Sequence, residues 1–136
     1  MKLLTLTEDK SYRAAVAVIR NGDKWLLGLA KNTGDDRSNR WVFPGGSIKP
    51  GESPERAACR EAKEESGVRC RAISDAIEDN KPGVAFIACK TNDSKKESLK
   101  PNHEFAMLGW FTVKEMKSLK LYNNVLRLID KAKKYN

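Results

Sequence analysis

The order of the chain's apolar and polar stretches predicts an α/β layered fold. Three observations carry that prediction. Apolar strand-like runs stand on both sides of one short helix. That helix, at residues 54–66, has its own start and stop signals. A closing stretch places Leu121, Val125, Leu128, Ile129 and Ala132 at i, i+4, i+7, i+8 and i+11, the spacing of an amphipathic helix packing on the body of the domain. At 136 residues, with no internal repeat, the chain reads as one domain spanning 1–136, long enough to bury a core without staples.

Residues 12–20 are rich in Ala, Val and Ile and read as a largely buried strand. Asn21-Gly22 is a two-residue hairpin signal, and residues 25–29 return as the partner strand. Residues 31–40 (KNTGDDRSNR) are polar, contain Gly34 and show no apolar periodicity, so they form a loop. Trp41 begins the next strand, and its apolar neighbours point to core packing. In the helix, Ser53 is the N-cap, its hydroxyl accepting a bond from a free amide of the first turn. Pro54 follows where its missing N–H is harmless, and Gly67 takes the left-handed conformation that ends the helix. Residues 68–77 read as a strand, 80–83 (NKPG) as a turn and 84–90 as a stronger strand. Residues 91–102 are a long, polar, lysine-rich loop, a kind that is usually functional. Residues 105–112 form the last strand, and Thr112 with Glu115 has capping-box spacing for a short helix.

The charges of the central helix are its most informative feature. Glu61, Glu64 and Glu65 stand at i, i+3 and i+4, so their carboxylates project from one face near the C-terminal end. Like charges at that spacing repel by roughly 0.2–0.5 kcal/mol per pair. The negative end of the helix dipole disfavours them further. A solvated acidic face relieved by Arg60 and Lys63 accounts for such a pattern in a generic helix. A divalent cation would turn the repulsion into attraction, and hard carboxylate oxygens suit magnesium, which keeps water and phosphate ligands as well.

Gly46, Glu52, Arg60, Glu61, Ala62, Glu64, Glu65, Gly67 and Val68 fit the pattern G-x5-E-x7-R-E-U-x-E-E-x-G-U, where U is a bulky aliphatic. The stretch resembles the signature of the Nudix family. Its one soft departure is Ala62, smaller than the usual aliphatic. The run Trp41-Val42-Phe43-Pro44-Gly45-Gly46 resembles the usual lead-in to that signature. The resemblance implies the Nudix fold, a mixed β-sheet sandwiched between α-helices. It implies a pyrophosphohydrolase with Glu61, Glu64 and Glu65 as magnesium ligands, manganese being a possible substitute, assisted by the backbone carbonyl of Gly45. Glu61 would also orient or deprotonate the attacking water. Glu52 and Arg60 would be a structural pair holding loop to helix, away from the metal. The base often lies in a later loop in this family; Glu104 is the candidate here and Glu97 the alternative. His103, the one histidine, reads as a surface or hydrogen-bonding residue. Arg37 and Arg40 are candidates to meet substrate phosphates or a base.

The substrate implied is a nucleotide: a nucleoside diphosphate linked to another moiety, such as a nucleoside triphosphate or nucleotide sugar. An RNA 5′ end is the alternative, and a non-catalytic nucleotide-sensing domain the reading from another class. The intact set of Glu61, Glu64 and Glu65 weighs against the last. Pro82 falls two positions early for the family's ADP-ribose pattern, and no tyrosine occurs between Val68 and Tyr122, where dinucleoside polyphosphate enzymes carry one.

Composition sets the outer bounds. The chain is 40% hydrophobic and 32% charged, an ordinary soluble profile. No apolar run approaches the roughly 20 residues of a membrane helix, and the N-terminus lacks a signal-peptide core. No membrane partner is expected; oligomeric state is open. The net charge of +8 favours acidic partners, with Lys95, Lys96, Lys100, Lys131, Lys133 and Lys134 reading as a solubilising surface. Cys59, Cys70 and Cys89 have no CxxC spacing and read as small, reduced, mostly buried side chains, hence a cytoplasmic protein.

Overall fold

The two longest apolar runs become neighbours at the centre of one sheet. In the computed structural model, which describes residues 11–91 and 99–135, β1 (Ala14–Asn21) lies parallel to β6 (Val84–Thr91), in register from Ala14 opposite Val84 to Arg20 opposite Lys90. Parallel neighbours need a long crossover. Here it contains β2 (Lys24–Ala30), β3 (Trp41–Val42), β4 (Gly45–Ser47), α1 (Pro54–Ser66) and β5 (Cys70–Ala72). After β6 come β7 (Phe105–Phe111), α2 (Val113–Met116) and α3 (Val125–Ala132). The sheet order is β3-β2-β1-β6-β5, with β4 added to the start of β1 and β7 to β2. It is mixed, as expected, since only the β1–β6 pair is parallel among these pairings.

Both faces of the central strands are covered, which is why their sequences are nearly continuous apolar runs. Ala15, Ala17 and Ile19 of β1, with Ala85, Ile87 and Cys89 of β6, pack on Ala57, Ala58 and Ala62 of α1. Val18, Phe86 and Ala88 point the other way, into a core with Val125, Leu128, Ile129 and Ala132 of α3. Ala62 is fully buried in the first layer. Opposite Ala15, Ala17 and Ala85, small side chains on both partners let α1 lie close to the sheet. A bulkier aliphatic there would have to be accommodated by moving the helix.

Helix α1 has the predicted limits and caps. Ser53 Oγ accepts the Arg56 N–H at 3.2 Å, and Gly67, at φ 83°, donates its N–H to the Lys63 carbonyl at 2.8 Å. The Thr112–Glu115 capping box is also present.

Three local expectations are corrected. Asn21 pairs with Lys24, so the hairpin loop is Gly22-Asp23 rather than Asn21-Gly22. Gly22, at φ 64°, takes the first loop position, where a positive φ favours glycine. The strand expected over 68–77 is ordered as a strand only at Cys70–Ala72, because Ser74 Oγ takes over the ladder by accepting the Ala88 N–H at 2.9 Å. A lone bridge then joins Ile77 to Phe86. Finally, α3 begins at Val125; Leu121 lies outside it, bridged to Trp41.

An ion cluster with no signature in the sequence ties the 77–83 segment to α3. The Asp79 carboxylate, 2% exposed, accepts from Arg127 Nε at 2.8 Å and Nη2 at 2.6 Å, and from Lys131 Nζ at 3.1 Å. These cations hold its carboxyl well below the usual carboxylate range. Among the described residues, no helix is long and apolar enough to cross a membrane.

Candidate active site

Strand β4 pairs antiparallel with the start of β1, placing Gly46 opposite Ala15 and Gly45 opposite Val16. Both positions require the absence of a side chain. A Cβ on Gly45 would lie 2.6 Å from the Ala15 carbonyl oxygen. A Cβ on Gly46 would overlap the Glu61 carboxylate. The glycines therefore serve the close approach of β4 to β1 and of α1 to β4, and the same approach draws the acidic face of α1 onto the backbone of residues 45–46. Gly45 donates its N–H to Glu65 Oε1 at 3.1 Å.

The three glutamates occupy different environments. Glu65 is half-buried, and burial pushes its carboxyl up to about 8, with Glu61, Glu104 and Glu64 adding to the rise and the Gly45 N–H opposing it. The Glu61 side chain is 15% exposed, with Oε2 3.4 Å from Arg60 Nη1. Glu64 is more open, its Oε1 3.2 Å from the same nitrogen. Glu61 and Glu65, both partly buried, share a helix face with the more exposed Glu64, and with a single guanidinium between Glu61 and Glu64 the donor set is short of positive charge. Its oxygens are the hard ligands that magnesium or manganese takes, so the residues present fit such an ion.

Glu52 and Arg60 form the bidentate pair expected of them. Arg60 Nε donates to Glu52 Oε2 at 2.8 Å and Nη2 to Oε1 at 3.0 Å, while Nη2 also reaches the Ser47 carbonyl at 2.9 Å. Glu52 Oε1 further accepts the Lys49 N–H at 3.0 Å. The Arg60 hydrogen bonds, then the Lys49 amide, lower the Glu52 carboxyl to about 2. One expectation is corrected here: the pair does not stand apart from the acidic face. The long guanidinium fork has a nitrogen to spare, and Nη1 reaches forward to both Glu61 and Glu64.

The loop before β7 closes on the end of α1. Asn102 donates from Nδ2 to the Glu65 carbonyl, and its Oδ1 accepts the Glu104 N–H at 2.8 Å and the Phe105 N–H at 3.0 Å. Glu104 is thereby brought near enough to act electrostatically on both Glu65 and Arg37. Its side chain is 48% exposed; His103, 90% exposed, sits 3.7 Å away. Glu97, Lys95 and Lys96 lie outside the described residues.

Beside β4 opens a cavity of about 170 Å³. Val42, Phe43, Phe86 and Leu128 make it apolar, Gly45 and Gly46 form one wall, and Arg37, Lys81, Tyr122 and Asn124 supply polar groups. Arg37 reaches this cavity, paired with Asp35 at 3.0 Å. Arg40 does not line it: Nη1 instead donates to the Leu121 carbonyl at 3.4 Å, fastening the loop to the chain before α3. Sequence reading missed Lys81, Tyr122 and Asn124, which come from segments remote from the glycine strand. Tyr122 is buried and donates to Asp36 Oδ2 at 3.1 Å, with Lys81 Nζ 4.7 Å from its ring centre. Asn124 is buried, yet its side chain makes no hydrogen bond among the described residues. A polar residue at the lip of a helix reads as a cap from sequence, and the cap bond is not made here.

Comparison with known proteins agrees with this architecture. The NUDIX domain family model matches residues 10–131. The 8-oxo-dGTP diphosphatase of Escherichia coli is 37% identical over 59 residues, 43% of this chain and 46% of its own length. An RNA pyrophosphohydrolase of Rhizobium meliloti is 40% identical over 68 residues, 46% of this chain and 41% of its own length. The chain spans less than half the length of the curated relatives it matches. The crystal structure of a MutT protein from Methanosarcina mazei superposes with a TM-score of 0.68 over 94% of this chain and 97% of that one, at 19% identity, a likeness of fold. Since the family model runs from before β1 into α3 and takes in the whole acidic helix, the chain belongs to the Nudix family.

Proposed function

We propose that the chain is a magnesium-dependent pyrophosphohydrolase of a free nucleotide, splitting the anhydride of a nucleoside diphosphate joined to a further phosphate or sugar moiety. One observation carries this reading: the wall that Gly45 and Gly46 give to the cavity is also the backbone against which Glu61 and Glu65 are held. A base resting among Phe43, Phe86 and Leu128 would therefore extend its phosphates toward the acidic face. Relatives named 8-oxo-dGTP diphosphatase and RNA pyrophosphohydrolase support the reaction class.

Magnesium, or manganese in its place, would be held by Glu61, Glu64, Glu65 and the Gly45 carbonyl, where it supplies charge neutralisation at the phosphates and a more acidic water. The chain's own groups do the rest. Glu104, whose side chain is 48% exposed, would take the proton of the attacking water. Glu61 orients that water. The oxygen forms its bond to phosphorus as the bridging P–O bond breaks, and the leaving phosphate carries off the electron pair. Arg37 meets phosphate charge at the cavity edge. Arg60, gripped by Glu52, keeps Glu61 and Glu64 in place.

A panel of nucleoside triphosphates, nucleotide sugars and 5′-triphosphorylated RNA, with magnesium and products identified by mass, tests the proposal. Turnover of a free nucleotide that stops on chelation is the expected result. Full turnover without metal, or of RNA alone with a steep loss on adding salt, overturns it.

A further inference from the structure

All three cysteines of the chain meet at one point behind the acidic helix. Their sulfurs lie within 4.8 Å of one another, although the residues are far apart in sequence and sit on three different elements. The geometry explains the meeting. Cys70 opens β5 opposite Thr91, and Cys89 of β6 lies opposite Ala72, so the two thiols are diagonal neighbours on one face of the sheet. Helix α1 covers that face and lowers Cys59 onto them.

We propose that Cys59, Cys70 and Cys89 form a thiolate site for a soft divalent cation, zinc in the first instance, distinct from the oxygen site on the other side of α1. Zinc–sulfur bonds are about 2.3 Å, which sets tetrahedral sulfurs about 3.8 Å apart, so the cluster needs only a small contraction to close on an ion. Sulfur donors select zinc or copper(I) and reject magnesium. Three thiolates on a divalent ion leave one net negative charge; Lys63 and Arg69 line the opening beside Cys59 and Cys70 to offset it, while Arg60 and Glu64, which also line it, are paired with each other. The same opening is a route of entry and a place for water as fourth ligand. Cys89, buried, closes the inner side. Binding releases the thiol protons to solvent and changes no oxidation state. The ion would cross-link α1, β5 and β6 from behind, and by binding only the folded chain it would stabilise it.

The test uses the whole chain, reduced and handled without oxygen, with magnesium in excess to fill oxygen sites. Titration with cobalt(II) should produce an intense near-ultraviolet sulfur-to-cobalt charge-transfer band that saturates at one ion per chain and is abolished by zinc. Loss of a neighbour that only orients a ligand weakens metal affinity roughly 10–100-fold, so loss of a ligand in C59S or C70S should weaken zinc affinity by about 100-fold or more, read against a chromophoric chelator. E61Q should leave zinc affinity unchanged. Zinc should also slow alkylation of Cys59 and Cys70 in the unsubstituted chain, a readout that needs no variant to fold. Absence of the band overturns the site. So does zinc affinity equal to wild type in both serine variants, or alkylation equally fast with and without zinc.

Discussion

Glu65 shows how burial and charge crowding hold a proton on a carboxyl group. Its carboxyl is pushed up to about 8, chiefly by burial. Between the ordinary carboxylate range and that value, the folded chain holds a proton that the unfolded chain releases. Stability of the metal-free protein should therefore fall as pH rises from about 4.5 toward 8. Magnesium must displace the same proton, so its affinity should rise across that window. Melting curves in chelator from pH 5.5 to 8.5 check this. The expected result is a melting temperature that drops with pH, a drop that is removed by Glu65→Gln and reversed by magnesium. A flat profile shared by both proteins would refute the assignment. For turnover, Glu61→Gln and Glu104→Gln should each lose about 10²–10⁴ in rate, the usual contribution of a positioned acid or base. A near-wild-type rate for Glu104→Gln would leave the water without Glu104 as its base.

At the scale of elements, the joint between the 47–53 loop and α1 depends on the Glu52–Arg60 pair. The two side chains are 14% and 21% exposed, and their bidentate contact joins the turn before the N-cap to the second turn of the helix. Glu52→Gln should lower the melting temperature at neutral pH. Because the Glu52 carboxyl is lowered to about 2, its contribution is present above the ordinary carboxylate range and fades as pH falls toward 2. The gap between variant and wild type should close over that range. Adding Arg60→Met should recover part of the loss, since the partly buried guanidinium that lost its bidentate partner is then gone. Arg60 also touches Glu61 and Glu64, so Glu52→Gln should weaken magnesium binding as well, by less than Glu61→Gln does. Unchanged stability with turnover abolished would move Glu52 into the chemistry.

At the scale of the molecule, the cavity beside β4 is closed by stretches remote from it in sequence. The 79–83 turn is clamped to α3 through Asp79, the chain before α3 is bridged to Trp41, and α3 itself packs under Phe86. Asn124 enters the cavity by this route. It makes no side-chain cap bond, so Asn124→Ala should leave the melting temperature nearly unchanged. If its amide reads a base edge, the variant should raise KM on the order of tenfold for the preferred nucleotide, the worth of one hydrogen bond in a desolvated cavity, with a smaller effect on other bases. Equal KM values for all bases in both proteins would exclude it from base reading.

Local rules carried much of this chain. The limits of α1, its Ser53 and Gly67 caps, the Thr112 capping box and the acidic i, i+3, i+4 face follow from neighbours within a turn or two, so they are legible in the sequence. So is the glycine pair at residues 45–46, although its reason, room for Glu61 and for β1, is a tertiary one. The shortening of β5 was not legible, because a serine hydroxyl replacing a ladder bond depends on which strand lies beside it. Arg60 reaching the acidic face was hidden for a similar reason: residue spacing gives the direction of a Cβ, not the span of a guanidinium. What only the tertiary structure decided are the meetings between distant segments, namely Asp79 with Arg127 and Lys131, Tyr122 and Asn124 beside Gly45, and the three cysteine sulfurs. Each depends on how helices and loops lie across the strands, and for Cys70 and Cys89, which stand on strands, a slip of one residue in register would turn the thiol to the opposite face.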